Sequence, residues 1–253
     1  MTGSAAIVFD QVELTAPDGR VILDHIDLEV PAGSMTALLG RSGSGKTTLL
    51  RMVNRLIEPT AGRVMVDFKA TTDWDPITLR RSIGYVIQET GLFPHFDAER
   101  NIGAVLEIEG RSKQQISQRA RQLFTQVGLD YATFAHRLPY QLSGGQRQRV
   151  GLGRALAAEP KLLLMDEPFG ALDPLTRAEM QDMVRRLLQR LDMTVILVTH
   201  DLNEALYLAS RIVLLEGGKV VANLPVEEFV GSQIAEVQSY VRAVRRGVLQ
   251  ESK

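Results

Sequence analysis

The sequence predicts an α/β fold: a parallel sheet covered by helices, preceded by a small antiparallel β segment and interrupted by a helical insertion. Three patterns carry that expectation. Short apolar runs at 35–39, 162–165 and 194–198 have the length and composition of strands buried on both faces. Segments with helical spacing separate them, the alternation that builds a parallel sheet. Between about 91 and 159 strand signals vanish, and the periodicity turns helical.

Taken in order, the first thirty residues alternate apolar and polar. Ile7, Phe9, Val12 and Leu14 form one run, and Val21, Leu23, Ile26, Leu28 and Val30 the next, with Pro17-Asp18-Gly19 as the turn between them. That is an antiparallel hairpin. The strand at 35–39 leads into a glycine-rich loop and then a helix, TTLLRMVNRLI, expected to stop at Pro59. Further strands are expected at 63–68 and 83–87. In the inserted segment, Ile116, Leu123, Phe124 and Val127 line one side of an amphipathic helix. Asp173-Pro174 opens another, with Asp as N-cap, Pro at the first helical position, and Met180, Val184, Leu187 and Leu191 as its core stripe. The organisation expected is one unit over 1–230, with its core from 1–90 and 160–230 and the helical subdomain at 91–159. A helical tail occupies 231–253.

Composition narrows the function. Hydrophobic residues make up 45% of the 253 and charged residues 23%, enough for a full core. Lys plus Arg is 29 against 30 for Asp plus Glu, a net charge of −1 that disfavours a nucleic-acid binder. The absence of cysteine excludes disulfides, thiolate metal sites and a cysteine nucleophile. MTGSAAIVFD lacks the basic start and apolar stretch of a secretory signal, and no run approaches the roughly 18 apolar residues of a spanning helix. A cytoplasmic protein is expected, peripheral if it serves a membrane.

Gly40-Arg41-Ser42-Gly43-Ser44-Gly45-Lys46-Thr47 fits G-x-x-x-x-G-K-[ST], placed after a strand and before a helix. The glycines let the backbone curl so that several N–H groups face one anion, and the helix that follows adds its positive end. Gly40, Ser42, Gly43, Ser44, Gly45, Lys46, Thr47 and Thr48 are therefore expected to hold a nucleoside triphosphate. Lys46 reaches the β- and γ-phosphates and Thr47 a Mg²⁺ ion. The apolar run 162–165 ends in Asp166 and Glu167. Carboxyl ends of parallel strands are where ligands bind, so Asp166 suits the Mg²⁺ shell and Glu167 suits the orientation of an attacking water.

Leu142-Ser143-Gly144-Gly145-Gln146 precedes a strong helix pattern. Capping chemistry alone reads it as an ordinary capped helix with Ser143 as N-cap. By spacing alone His200, closing TVILVTH, is equally an ordinary strand-end histidine. The order of these motifs, however, resembles the nucleotide-binding subunit of ATP-binding cassette (ABC) transporters over about residues 7–225. The resemblance implies a P-loop NTPase fold of RecA-like type and hydrolysis of ATP with Mg²⁺. It implies an ATP-bound homodimer in which Ser143, Gly144, Gly145 and Gln146 close over the partner's γ-phosphate. Gln88 corresponds to the glutamine that reaches Mg²⁺ and the water, His200 to the switch histidine at the γ-phosphate, and Asp173 to the residue linking the two composite sites.

The importer lineage is marked by 168–174, PFGALDP. More narrowly, NRLIEPTAG at 54–62 and LRRSIGYVIQETGLFPH at 79–95 are similar to the glycine betaine/carnitine/choline importers. The resemblance implies permease subunits, indirectly a solute-binding protein, and a place on the cytoplasmic face of the membrane. Importers for another solute, such as an amino acid, and non-transport ABC ATPases are the alternatives. Phe93, Pro94 and His95 form either a structured turn or a docking surface for the membrane subunit. Two departures stand out. The segment after 230 leaves no room for the CBS domains many such subunits carry, so a subunit without them is expected. Ala16 stands where the family stacks adenine on an aromatic ring, so weaker nucleotide affinity and weaker ATP/GTP discrimination are expected unless Phe9 or His25 substitutes.

Overall fold

The computed structural model of the protein describes residues 5–88, 90–191 and 193–251. Residues 1–4 of the expected 1–230 unit and 252–253 of the expected tail lie outside them. The elements in chain order are β1 (Ala5–Thr15), β2 (Val21–Pro31), β3 (Met35–Leu39), α1 (Lys46–Val53), β4 (Ala61–Val66), β5 (Lys69–Ala70), α2 (Pro76–Ser82) and β6 (Ile83–Val86). Next come α3 (Ala98–Ile108), α4 (Lys113–Gln126), α5 (Tyr131–Phe134), α6 (Gly144–Ala155), β7 (Leu162–Asp166) and α7 (Pro174–Leu188). The chain closes with β8 (Thr194–Thr199), α8 (Leu202–Leu208), β9 (Arg211–Glu216), β10 (Lys219–Pro225), α9 (Val226–Phe229) and α10 (Ala235–Glu251). Two compact units result, one of residues 1–76 and 194–253, the other of residues 77–193.

The first unit holds two sheets. β1 pairs antiparallel with β2 and with β4; alternation, re-phased by irregularities at Gln11 (φ 48°) and His25 (φ 49°), puts Ile7, Phe9, Val12, Leu23, Ile26 and Leu28 inside. The turn between β1 and β2 closes through Gly19 N–H donating to the Ala16 carbonyl at 2.9 Å, as Pro-Asp-Gly dictates. In the second sheet β3 runs parallel to β8 on one side and β9 on the other, and β10 returns antiparallel beside β9. All six residues of β8 are buried, in keeping with a strand that has no polar face. A core of Ala37, Leu39, Ala205, Ile212, Leu214 and Phe229 joins this sheet to α8, α9 and α10.

In the second unit β6 and β7 pair in parallel, Ile83 opposite Leu162 through Val86 opposite Met165. Between these two strands the described residues form α3 to α6 and no strand. Leu123, Phe124 and Val127 of the amphipathic segment are fully buried, as their spacing requires.

The strand expected from 63 begins at Ala61 and the one expected to 87 ends at Val86, and three further boundaries differ for local reasons. α1 ends at Val53, well before Pro59. Leu56 N–H donates to the Arg51 carbonyl at 2.9 Å and Arg55 N–H to that of Met52 at 3.1 Å, a Schellman closure with Arg55 at φ 54°. Arg55 tolerates the left-handed position because its guanidinium bonds the Thr72 and Trp74 carbonyls and Glu58. The strand expected to reach Phe68 ends at Val66, because Asp67 (φ 49°) and Phe68 (φ 64°) form the left-handed turn into β5. α7 stops at Leu188, so Leu191 falls outside the stripe that buries Met180, Val184 and Leu187.

Candidate functional site

In the first unit the chain leaves β3 and wraps from Gly40 to Gly45 before α1 begins at Lys46. Gly45 is the N-cap at φ 100°, a left-handed backbone with no side chain to cap the helix. A Cβ there would stand 2.5 Å from Leu23 Cδ2, so conformation and space both demand glycine. Lys46 is only 5% exposed, and its Nζ donates to the carbonyls of Gly40 at 2.8 Å and Arg41 at 2.9 Å. Ser44 is equally buried, and its Oγ has no hydrogen-bond partner among the described residues. A buried ammonium, an orphaned buried hydroxyl and a helix start without a side-chain cap all favour an incoming anion. Ser42 and Gly43 face solvent, while Thr47 and Thr48 stand partly buried on the first turn of α1. His200 follows β8 at the surface, and its carbonyl accepts from Tyr240 Oη at 2.8 Å.

The second unit carries the acidic strand end. Asp166, the last residue of β7, is buried, and Tyr85 Oη donates to its Oδ2 at 3.5 Å. Glu167 sits at φ 45°, a left-handed position costly for a side-chain-bearing residue, and Gln88 Nε2 donates to its Oε2 at 3.4 Å. The structure thus brings the expected Gln88 and Glu167 together at the ends of adjacent parallel strands.

The LSGGQ segment forms a reciprocal cap. Ser143 Oγ accepts from Gln146 N–H at 3.2 Å, and Gln146 Oε1 accepts from Ser143 N–H at 2.9 Å. A Cβ on Gly145 would meet Thr176 Cγ2 at 2.4 Å, so the start of α6 lies hard against the start of α7. Asp173 caps α7 by accepting from Thr176 N–H at 3.1 Å, and that residue's hydroxyl and amide hold the carboxyl below the usual carboxylate range. Ser143, Gly144 and Asp173 are all exposed.

Several contributors escaped the sequence reading. Arg154, on the last turn of α6, donates to the carbonyls of Thr90 and Gly91, each at 2.7 Å, and so ties α6 to the loop after Gln88. Burial lowers the pKa of its guanidinium. Asn101, fully buried on α3, accepts from Phe93 N–H at 2.8 Å and donates to the Phe93, Phe96 and Asp97 carbonyls. It holds Phe93, Pro94 and His95 as a structured turn with Phe93 42% exposed. The only sequence signal for Asn101 was a polar residue inside an apolar helical stripe.

The two candidate substitutes for a missing adenine platform differ in access. Phe9 is 1% exposed and packed in the core, so no base can stack on it. His25 is exposed, and its ring nitrogens bond edge-on to Asp24 at 2.5 Å and Glu13 at 2.9 Å. Its hydrogen bond to Asp24, followed by the charge of Glu13, raises its pKa above 6.5.

The profile of the ABC transporter family matches residues 23–170, more than half of the chain. The chain belongs to the ABC transporter family. It is 44% identical over 239 residues to the choline transport ATP-binding protein OpuBA of Bacillus subtilis, covering 90% of this chain and 62% of that one. It is 46% identical over 228 residues to the osmoprotectant import ATP-binding protein OsmV of Salmonella typhimurium, covering 87% and 60%. The chain therefore spans about three fifths of the length of these curated relatives. Among solved structures it is similar to the dimeric post-hydrolysis state of the ATP-binding cassette MJ0796 bound to ADP and Pi. That likeness has 33% identity and a TM-score of 0.78, over 87% of this chain and 98% of that one. It is also similar to cbiO1 of Clostridium perfringens, part of the ABC transporter complex cbiONQ, with 25% identity, a TM-score of 0.83, and 98% and 99% coverage.

Because Gly45 is constrained by backbone and by space, Gly45→Ala is expected to destabilise the protein by about 1–3 kcal/mol. Urea unfolding without nucleotide measures this; an unchanged midpoint would show that the loop is not locked by this residue.

Proposed function

We propose that this chain is the ATP-hydrolysing subunit of a membrane importer for a small polar solute, a quaternary-amine osmoprotectant. It works as an ATP-bound homodimer on the cytoplasmic face, with integral permease subunits and, indirectly, a solute-binding protein as partners, and without nucleic acid. The relatives' choline and osmoprotectant names support the solute class. That no helix among the described residues is long and apolar enough to cross a membrane is compatible with a peripheral subunit.

One observation carries the hydrolytic reading: Glu167, in a costly backbone position next to the buried Asp166, has its carboxylate beside the amide of Gln88. Strain of this kind persists where the surrounding structure enforces it, and it clusters at working sites. In the proposed reaction, the N–H groups from Ser42 to Thr48 and the Lys46 ammonium bind the β- and γ-phosphates. Glu167 accepts a hydrogen bond from the attacking water and aligns it with the γ-phosphorus, while Gln88 holds the water from its other side. His200 donates to the γ-phosphate oxygens as negative charge shifts in the transition state. Ser143, Gly144, Gly145 and Gln146 act on the ATP held by the partner subunit, and Asp173 communicates between the two sites. Little covalent chemistry is asked of the protein; positioning and charge stabilisation do the work.

The Thr47 hydroxyl, the Asp166 carboxylate and the Gln88 amide offer hard oxygen ligands for Mg²⁺. Mg²⁺ takes few protein ligands and shares substrate phosphates, so a hydroxyl, a carboxylate and an amide are a fitting set. Bound there, Mg²⁺ neutralises charge on the phosphate oxygens.

Glu167→Gln is expected to abolish steady-state ATP hydrolysis while ATP binding is retained; continued turnover would remove Glu167 from this role. Ala16 bears on the base. Restoring a ring with Ala16→Tyr is expected to tighten ATP binding by about 1–3 kcal/mol and to widen the preference over GTP. Parallel titrations with both nucleotides measure it, and unchanged affinities would contradict the proposed loss of a base platform.

A further inference from the structure

α10 reaches the loop that carries His200. The helix docks by burying Val237 and Val241 in the apolar cluster with Phe229, Leu202, Ala205 and Ile212, and Tyr240 packs against the same cluster. From there the Tyr240 hydroxyl donates to the His200 carbonyl at 2.8 Å. The residues on either side of His200 are fixed by separate bonds. Thr199 Oγ1 donates to the buried Glu204 at 2.7 Å and accepts from Asp201 N–H at 3.0 Å. Asp201 in turn caps α8, accepting from Asn203 N–H at 2.8 Å. The bond from Tyr240 holds the His200 carbonyl, and it comes from forty positions along the chain.

The same tyrosine borders the outer side of the phosphate loop. With Arg41, Ser42, Ser44, Glu236 and Ser239 it lines a cavity of about 280 Å³. Burial first, and then the charge of Asp201, push the phenol up to about 12, with Arg41 acting in the opposite direction. The hydroxyl therefore keeps its proton, and its ability to donate, throughout the range in which the protein works.

We propose that Tyr240 is a positioning residue for His200: by holding the peptide that carries the imidazole, the C-terminal helix sets where that side chain meets the γ-phosphate. The proposal rests on the reading of His200 given above. It assigns α10, whose role the sequence left open, a part in hydrolysis without contact with the nucleotide.

Tyr240→Phe in the full chain keeps the ring in the core and deletes only the donor. Single-turnover and steady-state ATPase assays are expected to show kcat lowered roughly tenfold, the scale of one hydrogen bond. KM for ATP and the unfolding temperature stay nearly unchanged. His200→Ala is measured alongside, alone and combined with Tyr240→Phe, and the combined variant should be no slower than His200→Ala by itself. A Tyr240→Phe protein of native kcat overturns the proposal. So does a loss repeated in full in the His200→Ala background, which would mean that the tyrosine acts on the fold at large. Near-native turnover by His200→Ala alone would instead remove the parent reading of the histidine. A crippled His200→Ala beside a silent Tyr240→Phe removes only the role of Tyr240.

Discussion

A buried ammonium organises the nucleotide-facing part of the first unit. Lys46 is held by carbonyls of the loop that precedes it, and a buried ammonium there favours an incoming anion. The geometry that makes this possible starts in the core. β3 is buried and parallel to both its neighbours, so its end delivers the chain to one edge of the sheet. Leu23 of the hairpin closes against Gly45 so tightly that the turn into α1 can be made only by a residue without a side chain.

The second unit arranges its polar groups along α6. At one end the Ser143–Gln146 cap fixes the LSGGQ segment, and Gly145 lies against Thr176 at the start of α7. At the other end Arg154 grips the backbone just after Gln88. One helix thus spans from the segment proposed to meet a partner's phosphate to the loop just after Gln88.

Much of the fold and of the site was legible in the sequence because the signals were local. Uninterrupted apolar runs marked β3, β7 and β8, Pro-Asp-Gly marked the first turn, and the glycine spacing marked the loop around Lys46. What escaped had no local signature. Arg55, Asp67 and Glu167 adopt left-handed backbones normally left to glycine, and only their tertiary partners or neighbouring turns account for it. α1 therefore ended at a Schellman closure, where the sequence pointed to Pro59. Arg154 and Tyr240 act through carbonyls of distant residues, and a backbone acceptor leaves no trace in the pattern of side chains. Phe9 illustrates the converse: its ring has suitable chemistry, but it is sealed in the core.

The central claim is that each catalytic site is assembled from two copies of the chain. Mixing a Ser143→Arg chain with a Lys46→Ala chain tests it most directly. Each variant alone should be inactive as a homodimer. The mixed dimer should regain ATP hydrolysis, since one of its sites pairs an intact Lys46 with an intact Ser143 and the other carries both defects. A mixture as inactive as its components would contradict the account, and so would a Ser143→Arg homodimer that turns over at the native rate.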